Sequence, residues 1–270
     1  MNLWHLVGMR FLRLWLLLVG ALSSSACFQM TTVLKVNADG SGTIDHRMLY
    51  SASAVAQLRQ FGALSGRGQN VDPLSEQQAR DMTASIGPGV TYVTSTPITT
   101  PAGQGRETTF AFTDVTQLRI STQPATPAGV RIRTQGLGTD AETVTFSLAH
   151  EAGGNAVLHI HVPEPNVLDA LGSPAAAGQI GMIKTALAGA RVLLVAEPAG
   201  SVVRTSSPYI DGPRVTLLEV DLDEVLKDDT LLPRLQSAST QEEAKAIIKG
   251  ASGLKINLDR DITIEFTPAR

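Results

Sequence analysis

A single cysteine, Cys27, is all that this 270-residue chain contains. Internal disulfides are thereby excluded, and the fold must rest on its own core in whatever compartment it occupies. Aromatic residues are scarce at 4%, while Ala, Val, Leu, Thr and Gly abound, a balance that suits a sheet-rich domain with small-residue helices. The formal net charge of −3 supplies no basic face for neutralising phosphates, which argues against a nucleic-acid partner. Motifs of catalysis are missing too. There is no Gly-x-Ser-x-Gly elbow, no phosphate-binding loop and no dinucleotide-binding turn, so the expectation is a non-enzymatic protein with no cofactor. No heptad or longer repeat runs through the chain, and no apolar stretch reaches the about 20 residues that cross a bilayer as a helix.

What is present begins with an address. Arg10 and Arg13 precede an apolar run from Leu14 to Leu22, and small residues from Ser23 to Ala26 lead into Cys27. Positive end, apolar middle and small-residue junction are the three parts of a secretion signal. A cysteine directly after such a junction resembles the lipobox of bacterial lipoproteins, in which that cysteine is acylated and becomes the mature N-terminus. The pattern departs from the family at Ser24, where most lipoboxes carry leucine. The alternative is an ordinary signal peptide cut near Ala26, which leaves Cys27 as an exposed thiol in an oxidising compartment. The expected organisation is thus a removed signal over residues 1–26, a lipidated cysteine and short tether over 27–30, and an envelope domain over 31–270 with a subdivision near 163–190. The absence of Asp after Cys27 favours an outer membrane where the cell has one, and Met9 offers a second start for translation.

The remainder reads as strands and short helices in mixed order. Alternation over 30–37 and 43–50 around Asp39-Gly-Ser-Gly42 predicts a hairpin. That turn has a superficial likeness to a calcium loop but lacks the spaced further ligands and the distal glutamate. Helices are expected after Ser51 or Ser53, from Asp72-Pro73 to Ile86, and briefly after Asp114. Strands are expected over 90–96, 106–113, 130–135, 142–149 and 156–162, with a Pro, Thr and Gly-rich connection between the first two. Residues 166–171 and 174–188 read as helices, and the second could leave an apolar cleft against the sheet. Residues 191–197, 201–205 and 215–222 read as strands, 223–235 as a helix broken at Pro233, and 240–249 as a helix with a capping box from Thr240 to Glu243. Strands over 254–258 and 262–266 close the chain as a second hairpin-like pair. The predicted class is α+β: a mixed, mainly antiparallel sheet of hairpins packed against several short helices.

Two clusters carry some chemistry. His159 and His161 share one face of a strand, with His150 and Glu151 across the adjoining hairpin, a set of the type zinc uses. A polar solvent face gives the same alternation and is the preferred reading, with a metal-dependent or hydrolytic enzyme on that face as the alternative. Glu219, Asp221 and Asp223 likewise share a face, with Asp228 and Asp229 following, and read as a solvated acidic edge rather than a calcium site.

The order of features resembles the LppM-type domain of bacterial lipoproteins. It is carried by the lipobox cysteine and following hairpin, Phe110-Ala-Phe-Thr-Asp114, the strand from Leu158 to Pro163, Ala190-Arg-Val-Leu-Leu-Val195 leading through Gly200 to Thr205, and Val215-Thr-Leu, over most of residues 27–222. The resemblance implies a sheet-and-helix envelope domain similar to small lipid-binding proteins, with no catalytic residues to carry over. Members of that type often end in a transmembrane helix, whereas this chain ends in Ile264-Glu-Phe-Thr-Pro-Ala-Arg270, so Cys27 is expected to be the sole anchor. The functional expectation is a lipid-anchored envelope protein that binds an amphiphile or a protein partner, with a structural or assembly role as the alternative.

Overall fold

The computed structural model describes residues 28–56, 74–121, 143–151, 153–162 and 189–269. The hairpin expected after Cys27 is present: β1 (Phe28–Val36) pairs antiparallel with β2 (Gly42–Tyr50), from Phe28 opposite Tyr50 to Val36 opposite Gly42. Its turn is closed by Asp39, whose Oδ1 accepts from the Ser41 amide at 2.9 Å and the Ser41 hydroxyl at 2.6 Å. Gly40 sits at φ +85°, where a side chain would be strained. Asp39 is thus occupied in holding a turn.

The hairpin lies inside the larger of two sheets. β4 (Gly103–Phe112) joins the free side of β2, and β3 (Thr91–Thr100) forms the edge beyond it. On the other side, β8 (Arg191–Pro198) runs parallel to β1, followed by β11 (Arg214–Asp221), which pairs with β10 (Ile210–Asp211) and β12 (Leu254–Ile256). The smaller sheet has the order β5 (Ile120–Ser121), β6 (Thr143–His150), β7 (Ala156–His161), β13 (Asp261–Pro268), β9 (Gly200–Thr205). Short helices complete the described chain: a helical segment over 52–56 after Ser51, whose hydroxyl accepts from the Ala54 amide at 3.1 Å, then α1 (Glu76–Asp81), α2 (Thr83–Ile86), α3 (Leu222–Val225), α4 (Leu231–Ser237) and α5 (Gln241–Lys249), with a 3-10 turn at Val115–Gln117. The class is the predicted mixture of mainly antiparallel strands and a few short helices.

Strand alternation explains why the two sheets meet. Leu34, Ile44 and Phe110 occupy one register row of the large sheet, and Leu158, Ile160, Ile262, Ile264 and Phe266 occupy the inner face of the small one; all are essentially inaccessible to water. Together they form one apolar core, each large side chain contributing about 1.5–3 kcal/mol of transfer free energy. A separate cluster of Val225, Leu231, Leu235, Ala244 and Ile248 holds α3, α4 and α5 together.

Several expectations are corrected. Strands are arranged in two sheets, not one, and the closing pair is no hairpin: β12 adds to β11 in the large sheet, while β13 lies between β7 and β9 in the small one. The Pro, Thr and Gly-rich connection is mostly strand, since β3 and β4 extend to a tight turn between Thr100 and Gly103. Pro97 is accommodated because β3 is an edge. The helix before Gly87 begins at Ser75, whose hydroxyl accepts from the Gln78 amide at 3.2 Å, instead of at Asp72-Pro73. Pro233 does not break a helix; it stands in the first turn of α4, where an amide donor is not needed. Glu219 is not part of a bare acidic edge, because Arg191 and Lys255 reach it at 2.7 and 2.8 Å. The segments 130–135, 166–171 and 174–188, the proposed cleft at the last of these, and Cys27 lie outside the described residues.

Candidate functional site

Between β2, β4 and the α1–α2 pair lies a cavity of about 60 Å³ lined by His46, Met48, Tyr50, Ser75, Gln78, Ala79, Met82, Arg106 and Thr108. Its floor is the same sheet face that supplies the core. One register row further toward Phe28, apolar side chains give way to Thr32, His46, Thr108 and Ser95, and the next row contains Met30, Met48 and Arg106. The roof begins at the Ser75 cap and ends at Met82, the residue that closes α1 and opens α2.

His46 is the buried polar centre of this arrangement. Its Nδ1 lies 2.9 Å from the Thr32 hydroxyl, and its Nε2 is buried without a hydrogen-bond partner. Burial pushes the imidazole pKa down to about 4, because a charged ring cannot be solvated there. The ring is therefore neutral at neutral pH, and with the proton on Nδ1 it donates to Thr32 while Nε2 keeps its lone pair. Burial also pushes the Tyr50 phenol up.

Arg106 ties floor to roof. Its Nε donates to the Ser95 hydroxyl at 2.7 Å, Nη2 to the Ser95 carbonyl at 2.8 Å, and Nη1 to the Leu74 carbonyl at 3.1 Å. Three directed bonds fix the planar guanidinium in the wall of the cavity. On the outside of α1, the Tyr92 hydroxyl donates to Glu76 at 2.9 Å, and Arg80 lies 4.0 Å over the Tyr92 ring. Hydrogen bonds from Tyr92 and Arg80 hold the Glu76 carboxyl below the usual carboxylate range. The short helix, which on its own would be marginal, is thus latched to β3 and β4.

The structure disperses the histidine set suggested by the sequence. His159 and His161 do share the outer face of β7, both exposed, but His161 pairs through Nδ1 with Asp261 at 2.8 Å, and His150 Nε2 meets the Ala38 carbonyl at 2.7 Å by the first hairpin. Among the described residues, no three His, Cys, Asp or Glu side chains gather as a metal-binding group. Asp221 and Asp223 serve backbone amides, Asp221 capping α3 at Glu224 and Asp223 accepting from Gly189 at 2.6 Å. His46 was missed by sequence reasoning, although a signal was there: Ile44, His46, Met48 and Tyr50 alternate on one face, which puts an imidazole where the pattern demands an apolar residue.

No known family model and no curated protein matches this chain. Among solved structures, it is similar to the NMR structure of the folded domain of Mycobacterium tuberculosis LppM, at 10% identity over 92% of this chain and 94% of that one, with a TM-score of 0.33. A likeness at this TM-score carries no function and no residue role to this chain. Among the described residues, no helix is long and apolar enough to cross a membrane.

Proposed function

We propose that this chain is an exported lipoprotein, acylated on Cys27, whose domain works at a membrane surface by binding an amphiphile or an envelope protein rather than by catalysis. The observation that carries this reading is the junction between signal and fold: the small residues from Ser23 to Ala26 lead to Cys27, and β1 begins at the next residue, Phe28. An acyl anchor at Cys27 then brings the strand ends marked by Phe28, Tyr50, Gln104 and Arg191 toward the bilayer. Two or more chains on the cysteine give stable attachment where one would be reversible. At about 3.4 Å per residue, Thr32 and the neighbouring His46 stand about 14 Å beyond Phe28.

The cavity at His46 is far smaller than the pockets of about 300–1,000 Å³ that enclose organic ligands. An amphiphile would accordingly be held on a face of the domain and not in that cavity. Native mass spectrometry of the full chain, extracted from its own envelope in mild detergent, tests the binding role. Co-purification of an amphiphile supports one arm, and a stoichiometric envelope protein recovered by crosslinking supports the other. Recovery of neither contradicts the binding role, and a Cys27→Ser variant that stays in the membrane fraction contradicts the anchor.

A further inference from the structure

We propose that the cavity between β2, β4 and the α1–α2 roof is a Cu(I) site, with Nε2 of His46 and the thioether sulfurs of Met48 and Met82 as its ligands. The inference is independent of how the chain is anchored. It starts from a ring atom that is buried and unsatisfied: His46 is held through Nδ1 by Thr32, and its Nε2 has no hydrogen-bond partner among the described residues. A metal-binding imidazole is oriented in this way, with the second nitrogen fixed by a neighbouring oxygen so that the first presents its lone pair.

The other donors of the wall are soft. Met48 stands two residues from His46 on the same strand face, and Met82 comes down from the roof; both line the cavity and both are half-buried. Two side-chain torsions, those about Cα–Cβ and Cβ–Cγ, place each sulfur, and in an unbranched side chain both can change without moving the backbone. Met30 is the register partner of Met48 on β1, within reach of a side chain on the same face. Of the six methionines, Met1 and Met9 lie in the signal, so three of the remaining four surround this place.

The nature of the donors selects the ion. Thioether and imidazole ligands favour Cu(I), whereas carboxylates, carbonyls and water favour magnesium, calcium and manganese. No Asp or Glu lines the cavity, and Arg106 does; its charge faces Glu76 at 4.0 Å outside the lining, so a divalent cation would meet a positive charge and no carboxylate ligand. A monovalent ion bound by uncharged donors meets a smaller penalty. A cavity of about 60 Å³ holds an ion or about two waters, but no organic molecule. Thioethers form no disulfides, so the site needs no reduced thiol in an oxidising compartment.

The test is anaerobic Cu(I) titration of the full-length Cys27→Ser chain in detergent against a chromogenic Cu(I) chelator, a background in which no thiol competes. The expected result is one Cu(I) withheld per chain, an X-ray absorption spectrum with two sulfur and one nitrogen scatterers, and no retention of Zn(II). Met48→Leu and Met82→Leu keep side-chain volume, so both should unfold at the unaltered metal-free temperature, each holding Cu(I) at least tenfold more weakly, and the double variant should not compete. His46→Gln should lose the nitrogen scatterer. A chain that surrenders all Cu(I) to the chelator, showing a cavity that takes water only, overturns the proposal. So does a folded Met48→Leu, Met82→Leu double variant with undiminished affinity, or retention of Zn(II) as tight as that of Cu(I).

Discussion

His46 makes the metal-free fold sensitive to acid. Its folded pKa is about 4, while in the unfolded chain an imidazole takes its proton near pH 6.5. As pH falls below that value the unfolded state binds a proton that the folded state refuses, so stability is present above about pH 6.5 and is lost progressively down to about pH 4. The loss amounts to about 3 kcal/mol. Urea denaturation at a series of pH values should show it in the wild type and show that component gone in the double variant Thr32→Val, His46→Leu. Thr32→Val alone should cost about 1–3 kcal/mol at neutral pH, because it strips the remaining partner from a buried ring nitrogen. Gly105 is a second critical residue: a Cβ there would stand 1.8 Å from the Met48 carbonyl oxygen. Gly105→Ala should therefore cost about 1–3 kcal/mol by overpacking, read as a lower urea midpoint. At this scale the sequence was informative about faces and silent about partners. Alternation in β2 already put His46 with Ile44 and Met48, but Thr32 and Arg106 reach the site only through strand pairing.

Elements were most legible where a local signal ends them. Gly40 and its Asp39 turn mark the first hairpin, Asp114 caps its 3-10 turn by accepting from the Thr116 amide, and Thr240 accepts from the Glu243 amide at the start of α5. Elements were misjudged where tertiary contacts override such signals. Asp72-Pro73 has the chemistry of a helix start, yet the cap is Ser75, because Arg106 binds the Leu74 carbonyl and sets where the roof begins. Pro97 and Gly105 look like punctuation, yet an edge position and a close interstrand approach admit both to strands. Ser75→Ala removes the cap of a six-residue helix and should cost about 1 kcal/mol. Hydrogen exchange should locate the loss in α1 and α2 as faster amide exchange there, with the β1–β2 hairpin unchanged.

For the whole molecule, the mixed class followed from element order, but the division into two sheets did not. Nothing local in 254–256 or 261–268 tells the first segment to extend β11 and the second to enter between β7 and β9. That choice is made by burial, since Ile262, Ile264 and Phe266 must face the shared core. The chain crosses between the sheets at Ala199, between β8 and β9, so each sheet depends on the other for its inner face. The two sheets thereby share one core, with no disulfide to hold them. The proposed anchor is the sulfur of Cys27, which directly precedes β1 in the sequence.

The central claim is that this sulfur carries lipid and places the β1 end of the domain on a membrane. Its most direct test is mass spectrometry of the N-terminal peptide of the mature protein, isolated from bacteria that process it. The account predicts a peptide beginning at Cys27, heavier than its amino acids by a thioether-linked diacylglycerol, and missing when Cys27 is replaced by serine. A mature chain beginning elsewhere, or beginning at Cys27 with a free thiol, would contradict it.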